Sequence, residues 1–167
     1  RLVALATFAG TIAQAPLGGV TVLLDLHPLA VMSHFLLALV VVALAIVVVL
    51  EAWRHDRVAG VAAVPAWLRS VSAVGVAACA AMVVTGAVAT ASGPHPGDDS
   101  DVKRLGLGIA DTVYVHVRAT AVFGIGVLLV GAWLLRARPS IPGVGRLGAS
   151  LLLVLVVQMA VGEVQYR

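Results

Sequence analysis

Residues 30–50 read AVMSHFLLALVVVALAIVVVL, a run without a single Asp, Glu, Lys or Arg, whose only polar side chains are Ser33 and His34. At about 1.5 Å of rise per residue such a run crosses the roughly 30 Å hydrocarbon core of a bilayer, whereas a barrel strand needs about 10 residues of alternating character. It reads as a transmembrane helix. Four more blocks of the same kind lie at residues 2–24, 67–91, 112–135 and 147–166, each long enough to span with some tilt. The whole 167-residue chain agrees with them, being 61% hydrophobic and 11% charged, with a mean hydropathy of +1.08. Soluble domains run about 45–50% apolar and about 25% charged, so a water-soluble fold is excluded. The fold class expected is all-α, a polytopic transmembrane helix bundle with five spans.

The connectors set the orientation. The first, DLHP at residues 25–28, holds no Lys or Arg, and the second, residues 51–69, holds Arg54, Arg57 and Arg69. The third, residues 92–111, is long and acidic, with Asp98, Asp99, Asp101 and Asp111 against Lys103 and Arg104, while the fourth carries Arg136, Arg138 and Arg146. The positive-inside rule puts the second and fourth connectors in the cytoplasm, so the N-terminus of this chain is expected inside and its C-terminus outside. DLHP is then an outer turn in which Pro28 ends the preceding helix geometry. SGPHPGDDSD is expected to be irregular backbone at the outer interface, a lid or rim. The 11 basic residues and a pI near 9.8 report topology, because eight of them lie in the connectors and they form no basic stripe for nucleic acid. Cys79 is the sole cysteine and sits inside an apolar block, so it forms no intrachain disulfide. The chain opens on Arg1 and enters an apolar helix with no signal-peptide architecture, so it reads as an excerpt of something longer.

A faint repeat supports that view. Gln14-x-x-x-Gly18-x-Val20-x-Val22 matches Gln158-x-x-x-Gly162-x-Val164-x-Tyr166 at an offset of 144 residues, each placing a glutamine and a glycine on one helix face. Two histidines stand out against the apolar background. His34 opens the second block and His116 lies near the start of the fourth; both helices run outside to inside, which puts the imidazoles at similar depth. An ionisable group within a bilayer is costly and by default marks function. Neutral imidazole is a common axial ligand of haem iron, and a porphyrin face needs small neighbours. From His116 the same face continues through Thr120 and Gly124, and from His34 through Ala38; Gly10, Gln14 and Gly18 form one facing stripe, and Gly75, Cys79, Met82 and Gly86 another. Such stripes also serve close helix packing in lipid without any cofactor. Arg118 and the Lys103–Arg104 pair suit haem propionates, and they also suit snorkelling to lipid headgroups. His27 and His95 read as interfacial, His55 as a solvated loop residue, and Glu163 as reaching the interface. No P-loop, HExxH, GxSxG or CxxC pattern is present.

QAPLGGVTVLLDLHPLAVMSHFLLAL, VVTGAVATASGPHPGDD, KRL, YVHVRAT and QMAVGEVQY, spread from Gln14 to Tyr166, together resemble the haem A synthase family. The resemblance implies an eight-helix, two-fold pseudo-symmetric membrane protein of the bacterial cell membrane, of which this chain holds the third to seventh helices. Residues 1–66 would then be the second half of the N-terminal four-helix unit with its cytoplasmic linker, and residues 67–167 the first three helices of the C-terminal unit. It further implies oxidation of the C8 methyl of haem O to a formyl group, giving haem A for terminal oxidases. Haem b is the implied cofactor, haem O the substrate, and haem O synthase and an electron donor the implied partners. His34 and His116 would each ligate an iron, with Gln14, Arg118, Thr120 and Gly124 lining the haem sites. The family's catalytic glutamate corresponds to a position before Arg1. On the residues alone, the same histidines also suit a di-haem electron-transfer subunit of cytochrome b type. They suit a non-catalytic membrane scaffold or transporter half as well.

Overall fold

A computed structural model describes residues 1–55, 66–93, 103–136 and 144–166. These form five helices: α1 (Leu2–Leu23), α2 (Pro28–His55), α3 (Ala66–Ser92), α4 (Ile109–Arg136) and α5 (Val144–Tyr166). All five are long and apolar enough to cross a membrane. Each apolar block has become a helix because lipid offers no partner to backbone N–H and C=O groups, and a helix satisfies them within one segment. α2 outruns its apolar block at both ends, taking in Pro28 and continuing through Glu51 and Trp53 to His55, as good helix formers allow once charged side chains reach the interface. Side-chain exposure is inverted relative to a soluble protein: Leu129 is 67% exposed and Val164 76%, while the buried apolar positions include the small Ala87 and Ala89. Small residues draw helices together and large ones face outward, as lipid solvation predicts.

Polar side chains inside the helices are largely absorbed by their own backbone. Thr7, Thr11, Thr21, Ser33, Thr90 and Ser92 each donate a hydroxyl proton to the carbonyl four residues earlier. Pro16 lies within α1; lacking an N–H, it leaves the Ile12 carbonyl without its helical donor, between Gln14 and Gly18.

The α1–α2 turn differs from the sequence expectation in how it is made. α1 ends in a Schellman arrangement, with Leu26 N–H donating to Thr21 O at 3.0 Å and Asp25 N–H to Val22 O at 3.1 Å. Asp25 (φ 50°) and Leu26 (φ 54°) both occupy the left-handed region without a glycine. Pro28 is the buried first residue of α2, where its missing N–H goes unmissed, so its part is to start α2 while Asp25 and Leu26 end α1. His27, expected at the interface, caps α2: its carbonyl accepts from Ala30 N–H at 2.9 Å and its Nδ1 from Leu29 N–H at 3.4 Å.

In the described part of the α3–α4 connection, Leu105 N–H donates to Ala91 O at 3.2 Å, and Gly106 takes φ +70°, which suits glycine. Gly108 precedes α4, its carbonyl accepting from Thr112 N–H at 3.1 Å, and the Asp111 carboxylate lies back over it. A negative charge in the first helical turn complements the dipole. His95, Asp98, Asp99 and Asp101 of the expected lid lie outside the described residues, as do Arg57 and Arg138.

Contacts divide the chain into two compact units. The first takes Arg1–Ala63 and Val83–His116, the second Val64–Met82 and Val117–Arg167. This division passes through α3 and α4; the boundary at residues 66 and 67 that the resemblance implies is of another kind, one between halves of a longer chain. Within the first unit α1 packs along α2, and the buried Gly93 stands against Ile109 of α4. Within the second, Trp67 and Trp133 meet edge to face with ring centroids 4.4 Å apart.

Candidate functional site

His34 and His116 both belong to the first unit, and each stands about two turns into its helix, α2 or α4. Both are half-buried. The helix before each one supplies a glycine beneath the ring. A Cβ added at Gly18 of α1 would lie 3.3 Å from His34 Cε1, 3.7 Å from Nδ1 and 3.9 Å from Nε2. A Cβ added at Gly86 of α3 would lie 2.9 Å from His116 Cε1, 3.2 Å from Nδ1 and 3.6 Å from Nε2. The order of atoms is the same in both. Each imidazole therefore rests on bare helix backbone with Cε1 nearest the glycine, Nδ1 second and Nε2 third.

Each seat also has a polar neighbour on the glycine's helix. Gln14, one turn before Gly18 and on the same face, donates from Nε2 to the His34 backbone carbonyl at 3.3 Å. Thr85, adjacent to Gly86, brings Oγ1 to 3.3 Å from His116 Nδ1. Two buried atoms of the first seat, Gln14 Oε1 and His34 Nδ1, have no hydrogen-bond partner. Buried polar atoms are normally satisfied, so such a pair calls for an explanation.

The remaining expected residues fall elsewhere. A Cβ added at Gly124 would lie 3.3 Å from Leu155 Cδ2 of α5, a contact within the second unit. Thr120 is half-buried and also lies in the second unit, and Arg118 is exposed. Gly10 meets Val41, at 2.7 Å from an added Cβ, while Gly75 has nothing within 4 Å. Cys79 is a half-buried free thiol. Lys103 is exposed and Arg104 half-buried. In the repeat, Gly18 is covered by His34 but Gly162 has nothing within 4 Å, and Gln158 is exposed where Gln14 is half-buried.

Thr85 is the residue that the sequence pattern did not single out. Its signal was a hydroxyl immediately beside Gly86, on the helix preceding the one that carries His116. Among the described residues no three of His, Cys, Asp and Glu gather into a metal-binding group. The donor set on offer is single imidazoles, which is what axial haem ligation asks for. The glycine seats and the unpartnered Nδ1 of His34 fit that use, since each ring is held in place by packing against the preceding helix. Comparison of the chain with models of protein families, with curated proteins and with solved structures finds no match.

Proposed function

We propose that this protein holds haem through His34 and His116 in a bacterial cell membrane and acts as a haem A synthase, oxidising the C8 methyl of haem O to a formyl group. The observation that carries the reading is the duplicated imidazole seat: two histidines at equivalent depths in α2 and α4, each laid on a glycine in the same atomic order. A packing histidine needs no such duplication, whereas two haem groups related by pseudo-symmetry require it.

When bound, haem supplies the redox chemistry. The chain's own part is to bind and orient. Gly18 and Gly86 let each ring approach the backbone closely and fix its plane. Gln14 and Thr85 hold each histidine from the side of the preceding helix. Arg118, exposed near the same end of α4 as His116, suits a propionate carboxylate, which a guanidinium grips through two parallel hydrogen bonds. The apolar helix faces would keep water from a methyl held between them. The iron's second ligands, the electron donor and the outer-loop chemistry belong to the same proposal, with the N-terminus of this chain cytoplasmic and its C-terminus outside.

Purification of the natural protein from the membranes of a host that makes haem O, followed by haem extraction and mass analysis, tests the reading. Haem A among the extracted pigments is the expected result. Haem b alone would make the protein an electron-transfer subunit, and the absence of any haem would remove both readings in favour of a scaffold.

A further inference from the structure

The two imidazole seats also determine where the protons are. The Gln14 amide faces a carbonyl, the backbone oxygen of His34, at 3.3 Å. A carbonyl accepts and never donates, so the amide nitrogen must be the atom turned toward it, and the flipped assignment is excluded. Oε1 is thereby fixed as an acceptor, buried and lacking a donor, while His34 Nδ1 is buried and lacking a partner of its own. The two deficits are complementary. No bond joins the two atoms in the structure; a turn of the amide about its 3.3 Å contact, longer than the usual 2.9–3.0 Å or so, would let Oε1 take the proton of Nδ1.

At the second seat the count of hydroxyl protons leads to the same answer. Hydroxyls within these helices give their one proton to a carbonyl of the preceding turn, as Thr7, Thr11, Thr21, Thr90 and Ser92 do four residues back and Thr112 does three residues back. Thr85 stands in mid-helix with Ala81 four residues before it. With its proton given in the same way, Oγ1 is left to accept at its 3.3 Å contact with His116 Nδ1, which makes Nδ1 the donor.

We infer that Gln14 and Thr85 are positioning residues that hold His34 and His116 in the Nδ1–H tautomer, so that in both rings Nε2 carries the lone pair. Free histidine side chains in water favour the opposite form, with the proton on Nε2, so the protein imposes the choice. Outer partners that donate or accept at the far nitrogen of a ligating histidine fix its tautomer and orientation. The tautomer itself is a property of the haem-free chain; only its consequence for iron rests on the proposed function.

Long-range proton–nitrogen correlation spectra of the natural protein, haem-stripped, labelled with 15N-histidine and held in nanodiscs, read the tautomer directly. His34→Ala and His116→Ala assign the signals. Both rings are expected to show the Nδ1–H pattern. Gln14→Leu is expected to move His34 to the Nε2–H pattern and leave His116 unchanged, the latter serving as a control for folding; Gln14→Glu, which keeps an acceptor oxygen, is expected to retain Nδ1–H. Thr85→Val is expected to switch His116 alone, and Thr85→Ser to restore it. An Nε2–H pattern in either wild-type ring, or a His34 pattern unmoved by Gln14→Leu, overturns the inference. Titration with ferric protoporphyrin IX separates it from the functional reading: Gln14→Leu is expected to weaken binding about 10- to 100-fold. Nδ1–H rings in a protein that shows no Soret band would support the tautomer inference while removing the haem reading.

Discussion

Replacing Gly86 by alanine puts the imidazole seat under a calculable strain. The new Cβ lies 2.9 Å from His116 Cε1 and 3.2 Å from Nδ1, against a comfortable carbon–carbon separation of about 3.5–4.0 Å, so the ring must retreat by at least about 0.6 Å. The α3 backbone has little freedom to yield instead, because Ala87 and Ala89 beside it are buried. Overpacking of this size costs about 1–3 kcal/mol, and alanine returns about 0.8–1.0 kcal/mol in helix propensity. The net expectation is destabilisation by about 0–2 kcal/mol. Gly75→Ala, in the same helix with nothing within 4 Å, provides the comparison, since it collects the propensity gain without the clash. The difference between the two variants is therefore the seat's strain alone, about 1–3 kcal/mol. Denaturation in mixed micelles followed by far-ultraviolet circular dichroism measures it, and the His116 ring resonances report whether the imidazole moved. Equal stability of Gly86→Ala and Gly75→Ala, with unmoved His116 resonances, would refute the close seating of the ring.

Two further outcomes follow from the fold. Asp25→Gly should stabilise the protein by about 0.5–1 kcal/mol in the same denaturation assay, because exposed Asp25 sits at φ 50° where glycine carries no steric penalty. A double-mutant cycle of Trp67→Ala and Trp133→Ala should return a coupling of about 0.5–1.5 kcal/mol, the range for edge-to-face pairs such as this one at 4.4 Å; additive losses would show that the rings do not interact.

The helices were legible because lipid leaves an apolar run of spanning length only one local structure, and the five blocks became α1 to α5 with shifts of a few residues at their ends. His34 and His116 were legible by scarcity, an imidazole being conspicuous among leucines and valines. What fills the space above a glycine was not. Gly18 and Gly86 read as clearance for a flat ring and hold the histidines themselves, while Gly124 reads the same way and packs on Leu155. Periodicity gives the face on which a glycine lies, and the neighbour across that face depends on helix pairing, which the period does not contain. Thr85 escaped for the same reason. The left-handed residues of the first turn escaped because Asp25 and Leu26 carry no glycine to announce them, and the cap made by His27 depends on a ring rotamer.

The central claim, that His34 and His116 hold haem, is tested most directly by the absorbance spectrum of the purified natural protein beside His34→Ala, His116→Ala and the double variant. The account predicts a Soret band that each single substitution diminishes and the double substitution abolishes. A wild-type protein without that band, or a double variant whose band is unchanged, would contradict it.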